Sequence, residues 1–296
     1  MVLKIIERAN IDTNKWDSLV TSKVNQSIFS QSIYLDVVSE KWCVITNEDY
    51  SCGIAVPYTV RLGIKCFTTP IFVRYLEWFG QKENWNYAQE LIEKNFSGGA
   101  FHVTENLVSN QNLRCYQVIN EERKLGTQAK RMLSKSKHVI IEFGEDPDIT
   151  QILNIIATEL PGKISTLNKH NIELLKILVH SLTQKGYVKS LVIKNEQTVV
   201  AGILLIEFNG ILLYLKGASL PEYKKMGAMY QLMHHAIEYA QQKGLQFDFG
   251  GSSAEGVRRF NLNLGGVDKV YGVFHSDKAP LWFKELKRLK NLWTKK

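Results

Sequence analysis

The chain has 296 residues, 45% of them apolar and 22% charged, with a formal net charge of +8. That composition excludes a disordered chain, and the length suits two domains of ordinary size, each with its own core. Four cysteines without a CxxC pair point to reduced thiols rather than a zinc site or a disulfide framework, no apolar run reaches membrane-spanning length, and Met1 to Glu7 meets charge too early for a signal peptide. A cytoplasmic protein is the expectation.

In chain order, the spacing of apolar residues predicts helices over Thr13–Val20 and Ser32–Glu40, the second with Ser32 as its cap. A hairpin of Trp42–Ile45 and Gly53–Val60 follows, then a strand over Lys65–Thr69 and an aromatic-rich loop over Pro70–Gly80. A helix over Asn84–Phe96, the pair Gly98-Gly99 and a strand over Ala100–Val103 complete this half. The join between Gln117 and Gly144 centres on Thr127–Lys137, which reads as a short basic helix or an ordered arm.

The same order then recurs more strongly. Helices over Ile149–Leu160 and Asn171–Gln184 precede strands over Tyr187–Lys194 and Thr198–Phe208, and Asn209-Gly210 turns the chain into a strand over Ile211–Leu215. An Asn-Gly pair between alternating apolar runs is a strong hairpin signal. A loop over Gly217–Lys225, a helix over Gly227–Lys243 and a buried strand over Leu245–Phe249, closed by Gly250-Gly251, end the unit. Two passes through one element order predict a duplicated α/β unit, with residues 1–121 and 122–296 as its two copies.

The stretches Tyr214–Ser219, Gly227–Leu232 and Phe247–Gly251, extended by Glu255–Gly266, resemble the C-terminal half of the Fem-type and CelD-like transferases. These are branches of the GNAT superfamily that often carry two GNAT-like units in tandem. The resemblance implies an α/β fold of two tandem GNAT-like units, each a mixed central β-sheet flanked by helices. It also implies an N-acyltransferase that moves an acyl group from acyl-CoA, acetyl-CoA for instance, to an amine of a small molecule or a cell-envelope precursor. The donor loop of such enzymes aligns with Lys224, Lys225, Met226, Gly227, Ala228 and Met229. A basic residue and one glycine are kept there, and Met229 stands where a small residue is expected. Lys224, Lys225, Gly227, Ala228 and Met229 are therefore the candidate donor-binding residues. A Phe-Lys pair of the Fem type becomes Phe260-Asn261, and Arg258 and Arg259 are candidates to replace its positive charge at the substrate.

Acylating an amine requires a group that takes up its proton and donors for the developing oxyanion. Asp248, on the last central strand, and Lys216, just after the preceding one, are candidates for this work, with Tyr214 lining the cleft and Tyr271 as an acid toward the leaving thiolate. Each has a plain structural alternative: Asp248 bonding the Gly-Gly turn, Lys216 solvated or ion-paired, and both tyrosines packed. No metal is expected, since His234 and His235 are adjacent on a helix and diverge by about 100°. In the first unit the aromatic Phe72–Phe79 takes the place of the donor loop and lacks a glycine until Gly80, so donor binding is expected to be lost there. The basic amphipathic tail, residues 281–296, either docks on the domain or rests on an anionic membrane from the cytoplasmic side. Two rivals remain: a Fem-type aminoacyl-tRNA-dependent peptidoglycan-precursor transferase, for which tRNA would be the one nucleic-acid partner, and a catalytically silent GNAT-like binding module.

Overall fold

A computed structural model describes residues 2–104, 107, 113–136, 141–144, 149–162, 164, 166–251 and 254–293. Its elements, in chain order, are β1 (Lys4–Glu7), α1 (Thr13–Val20), α2 (Ser32–Val38), β2 (Lys41–Thr46), β3 (Gly53–Arg61), β4 (Ile64–Thr68), α3 (Trp85–Asn95), β5 (Gly98–Thr104), β6 (Leu113–Val118) and α4 (Thr127–Lys135). They continue with β7 (Ile141–Gly144), α5 (Ile149–Glu159), α6 (Lys169–Thr183), β8 (Val188–Asn195), β9 (Thr198–Phe208), β10 (Ile211–Ser219), α7 (Pro221–Lys225) and α8 (Ala228–Gln242). The last four are β11 (Gln246–Asp248), α9 (Glu255–Asn263), β12 (Val267–Asp277) and α10 (Leu281–Trp293). Lys137 of the basic join and residues 294–296 of the tail lie outside the described residues.

The chain forms two compact units. The first gathers residues 1–19, 29–113 and 271–296; the second gathers 20–28 and 114–270. In the first, the strands run β1-β2-β3-β4-β5-β12, with β4 and β5 parallel and every other pair antiparallel. The parallel pair is wired through α3, as a crossover requires. Its core is aromatic: Phe67, Phe101 and Phe274 lie within 5.1–5.5 Å of one another, ring centre to ring centre.

In the second unit the order is β6-β11-β10-β9-β8-β7, again with one parallel pair, β10 and β11, joined by the crossover helix α8. Helices cover both faces. Ala201, Ile203, Leu205 and Leu212 pack with Ala228, Leu232, Ala236 and Ala240 of α8. On the other face α5 packs on β9 and β10 so closely that a Cβ at Gly202 would lie 2.6 Å from Ile152. Each unit is thus a mixed sheet flanked by helices.

The Asn-Gly turn forms as the sequence predicts, with positive φ at both Asn209 (48°) and Gly210 (82°), the pattern that matches strand twist. It also receives a strap from near the N-terminus: Asn25 donates its N–H to the Asn209 carbonyl at 2.9 Å, and Asn209 Nδ2 donates to the Lys23 carbonyl at 2.7 Å. Three expectations are corrected. Ser32 does not cap α2; Gln31 precedes the helix, and the Ser32 hydroxyl donates to Asp17 instead. The stretch Gly217–Lys225 is not a loop, because β10 continues to Ser219 and Pro221, at the first helical position, starts α7. Accordingly Lys216 lies inside a strand rather than after one.

Candidate active site

Strand β10 is irregular at one point. Its pairing with β9 runs Tyr214↔Leu205 and then Lys216↔Leu204, so Leu215 is an extra residue, a β-bulge. On its other edge, β10 pairs with β11 only from Ile211↔Gln246 to Leu213↔Asp248. The two parallel strands therefore part where the bulge begins, and β10 runs on to Ser219 with that edge open.

The bulge also decides which side chain faces which layer, since cross-strand partners share a face. Tyr214 pairs with Leu205 and packs against the α8 side, whereas Lys216 pairs with Leu204 and so lies on the α5 side. Without the bulge, simple alternation would have put both on one face. Gly217↔Ile203 and Ser219↔Ala201 return to the α8 side. Burial pushes the Tyr214 phenol well above its usual range, and among the described residues the hydroxyl reaches the Gly217 carbonyl alone, at 3.5 Å. Burial likewise pulls the Lys216 ammonium below the ordinary lysine value, and no described residue gives it a hydrogen bond or an ion pair. Among the described residues the buried Ser219 hydroxyl also has no partner.

Asp248, the last residue of β11, is buried, and its Oδ1 accepts the Gly250 N–H at 2.9 Å. The turn reading of the sequence holds to that extent, and it fixes the carboxylate at the point where the strands separate. The donor-loop candidates gather at the start of α8. Gly227 is its cap with φ 93°, a left-handed conformation, and a Cβ there would lie 2.8 Å from the Met132 carbonyl of α4. Gln231 is the first residue of α8 whose amide reaches a helix carbonyl, that of Gly227 at 3.1 Å, so the N–H groups of Ala228, Met229 and Tyr230 point out of the helix end. The bulky Met229 side chain does not obstruct them: it packs against the core beneath.

Residues of α4 join this end. Lys135 Nζ donates to the Lys225 carbonyl at 3.0 Å, the Ser136 hydroxyl donates to Gln231 Oε1 at 3.0 Å, and the charge of Arg131 acts on Tyr230, working against the burial that raises its phenol. Lys224 and Lys225 are exposed and form no ion pair among the described residues. Arg131, Lys135, Lys224 and Lys225 thus surround bare amides at the positive end of a helix, the arrangement that holds phosphate groups. These groups, with the orphaned Ser219 hydroxyl at the strand edge, fit the pyrophosphate and the amide-bearing arm of coenzyme A. Arg131 and Lys135 could be suspected from the basic run in the sequence; nothing in the sequence singles out Ser219.

Other candidates are engaged elsewhere. The Arg258 guanidinium binds both oxygens of Asp268, which it holds below the usual carboxylate range, and Arg259 is exposed beside Glu255 at 3.1 Å. Asn261, at the expected lysine position, is buried and donates to Gln117 Oε1 at 2.9 Å, while Gln117 Nε2 donates to Asp268 at 2.8 Å. This network ties α9 to β6 and serves packing. Tyr271 belongs to the first unit, with its ring 5.2 Å from that of His102 and 6.0 Å from that of Tyr75. His234 is a staple: Arg123 donates to its Nδ1 at 2.8 Å and its Nε2 lies 3.2 Å from Glu238.

Residues 122–260 match the acetyltransferase (GNAT) domain family. No curated protein matches the chain. Among solved structures it is similar to FemX, with a TM-score of 0.67 and 10% identity over 98% of this chain and 99% of that one. A GNAT-family acetyltransferase from Colwellia psychrerythraea gives 0.55 and 10% over 92% and 98%. A tandem GNAT protein from the clavulanic acid biosynthesis pathway gives 0.51 and 11% over 94% and 99%. At such identities the likeness is one of fold, and it extends over nearly the whole chain. Residues 122–260 are thus a GNAT acetyltransferase domain, in a chain whose fold is like that of tandem GNAT proteins.

Proposed function

We propose that the chain is an N-acyltransferase that takes an acyl group from acyl-CoA and gives it to an amine of a small molecule or a cell-envelope precursor. The observation that carries this reading is the bulge at Tyr214–Lys216, where β10 and β11 part opposite the bare first turn of α8. The donor site falls in the second unit, within the matched residues 122–260, and the first unit lacks one. Bound acyl-CoA supplies an activated thioester carbonyl. Its phosphates are held by the amides of Ala228 and Met229 with Lys224, Lys225, Lys135 and Arg131, and Gly227 keeps the helix end open. Asp248 accepts a hydrogen bond from the acceptor amine, turns its lone pair toward the carbonyl and takes up the proton as the C–N bond forms; the C–S bond then breaks, and coenzyme A leaves as a thiolate that is protonated from solvent. Tyr271 receives no role, because its described neighbours belong to the first unit.

Thermal stabilisation by acetyl-CoA, together with release of free thiol in a panel of amines, is the expected result. No response to any acyl-CoA would overturn the reading in favour of a silent binding module. The end-to-end likeness to FemX favours one alternative, a Fem-type transferase that uses aminoacyl-tRNA. Transfer from an aminoacylated minihelix, without transfer from acyl-CoA, would establish it.

Helix α10 supports peripheral contact with an anionic membrane. Leu281, Trp282 and Leu286 are 80%, 49% and 48% exposed, and Arg288 is exposed beside them. No helix among the described residues is long and apolar enough to cross a membrane. Sedimentation with anionic but not zwitterionic vesicles is the expected outcome.

A further inference from the structure

Lys216 is a partly buried charge in the second unit with no ion pair among the described residues. An ammonium withdrawn from water costs several kcal/mol unless an anion compensates it. Here burial lowers the affinity of the group for its proton, and no described residue offers an acceptor. Lys216 is only partly exposed and has no carboxylate partner among the described residues, whereas Lys278 reaches Glu93 at 2.9 Å and Lys284 reaches Asp277 at 3.0 Å. The position is also particular. Lys216 is the first residue after the bulge, on the edge that β11 has left, and its pairing with Leu204 turns it to the α5 face. The phosphate-binding end of α8 belongs to the opposite face, so the anion that would neutralise Lys216 is not the donor's pyrophosphate.

We propose that Lys216 is the counter-charge for the acceptor, which carries an anionic group, a carboxylate or a phosphate, within a side-chain's reach of the amine to be acylated. This rests on the acyltransferase reading above and names the substrate class it left open. Asp248 and Lys216 then divide the acceptor between them: the carboxylate at the end of β11 takes the amine, and the ammonium on β10 takes the anion. A neutral amine leaves Lys216 uncompensated and is selected against, in the way a site built for a polar group rejects the analogue lacking it.

The test uses the full chain with two pairs of probes, glycine against glycinamide and glucosamine 6-phosphate against glucosamine. In each pair the amine is kept and the anion removed. The wild type is expected to prefer the anionic member of at least one pair by roughly 10- to 100-fold in kcat/KM, the scale of one charge-assisted hydrogen bond. Which pair responds tells carboxylate from phosphate. Lys216→Met, which keeps the length of the side chain, is expected to abolish the preference and to raise the Tm of the ligand-free protein, since it removes a charge that the fold leaves unpaired. Equal use of both members by the wild type, or a preference that survives in Lys216→Met, would overturn the proposal, as would a variant of lower Tm with unchanged discrimination. If Lys216→Met does not fold, the wild-type preference decides alone. If no amine is acylated at all, the acyltransferase reading fails, and Lys216 is still judged by whether glucosamine 6-phosphate or glycine stabilises the wild type more than its neutral counterpart does.

Discussion

The two units share one wiring, a parallel strand pair joined by a crossover helix, and differ at the two places where a donor site would be built. In the first unit, β4 and β5 pair in unbroken register from Cys66↔Gly98 to Thr68↔Ala100. In the second, β10 is bulged and leaves β11 after Leu213↔Asp248. The helix starts differ in the same sense. Asn84, before α3, keeps a right-handed backbone, so a tight turn over Lys82–Asn84 runs straight into the helix and its amides are used, the Trp85 N–H bonding the Lys82 carbonyl. Gly227, before α8, is left-handed and breaks the run. In the second unit strand pairing and helix capping are both interrupted, and that contrast supports the proposal that the donor binds in the second unit alone.

The sharpest way to break the comparison is at Asp248. Asparagine can still accept the Gly250 N–H, so Asp248→Asn is expected to keep the Tm and lose about 100-fold in kcat, the scale of one proton-transferring group. Steady-state kinetics beside a melting curve checks this; unchanged kcat would leave Asp248 a turn residue only. Next comes Gly227→Ala. The left-handed backbone and the nearby Met132 carbonyl predict a stability loss of at least about 1–2 kcal/mol, with weaker donor binding. Its control is Gly256→Ala, in open space on α9, where urea unfolding is expected to show a small gain of roughly 0.5–1 kcal/mol. Smaller still, Lys135→Ala and Lys225→Ala are each expected to weaken acetyl-CoA binding about three- to tenfold, less so at high salt, as isothermal titration would report. Lys82→Ala, at the corresponding helix start of the first unit, should leave that binding unchanged.

Much of this fold was legible locally. Helices α1, α3, α5 and α8 follow apolar spacing, and the Asn209-Gly210 turn follows from two residues that tolerate positive φ. What escaped depends on distant partners. Strand β6 is recognisable as a strand through sheet neighbours distant in sequence, such as β11, which lies more than a hundred residues on, and the return of residues from Tyr271 onward to the first unit has no local sign. The bulge is the clearest case. Tyr214, Leu215 and Lys216 read as plain alternation, and only the register with β9 reveals that Lys216 has changed face. The Pro221 start of α7 was there to be read, since proline favours the first helical turn, whereas the meeting of Arg131 and Lys135 with the α8 end depends on packing between helices far apart in sequence.

The smallest effect concerns how α8, the helix proposed to carry the donor site, is held. His234 lies on α8 between Arg123, which donates to Nδ1, and Glu238, so the geometry demands a neutral imidazole with its proton on Nε2. Burial comes first among the causes that lower its folded pKa; Glu238 opposes the shift, while Arg123 and His235 add to it. A depressed folded value means that the unfolded chain binds the proton more readily. The staple's contribution is therefore present above the ordinary histidine range and is lost as pH falls through the folded value. Protonation would also break the Arg123 hydrogen bond, a loss on the order of 1 kcal/mol. Urea unfolding of wild type and His234→Gln from pH 7.5 down to pH 5 checks this. The wild type should lose stability toward the acid end more steeply than the variant, whose amide has no proton to gain, and parallel curves would show that His234 does not titrate with folding. The first unit has no such titrating staple on α3 among the described residues, so acid is expected to loosen α8 before its counterpart.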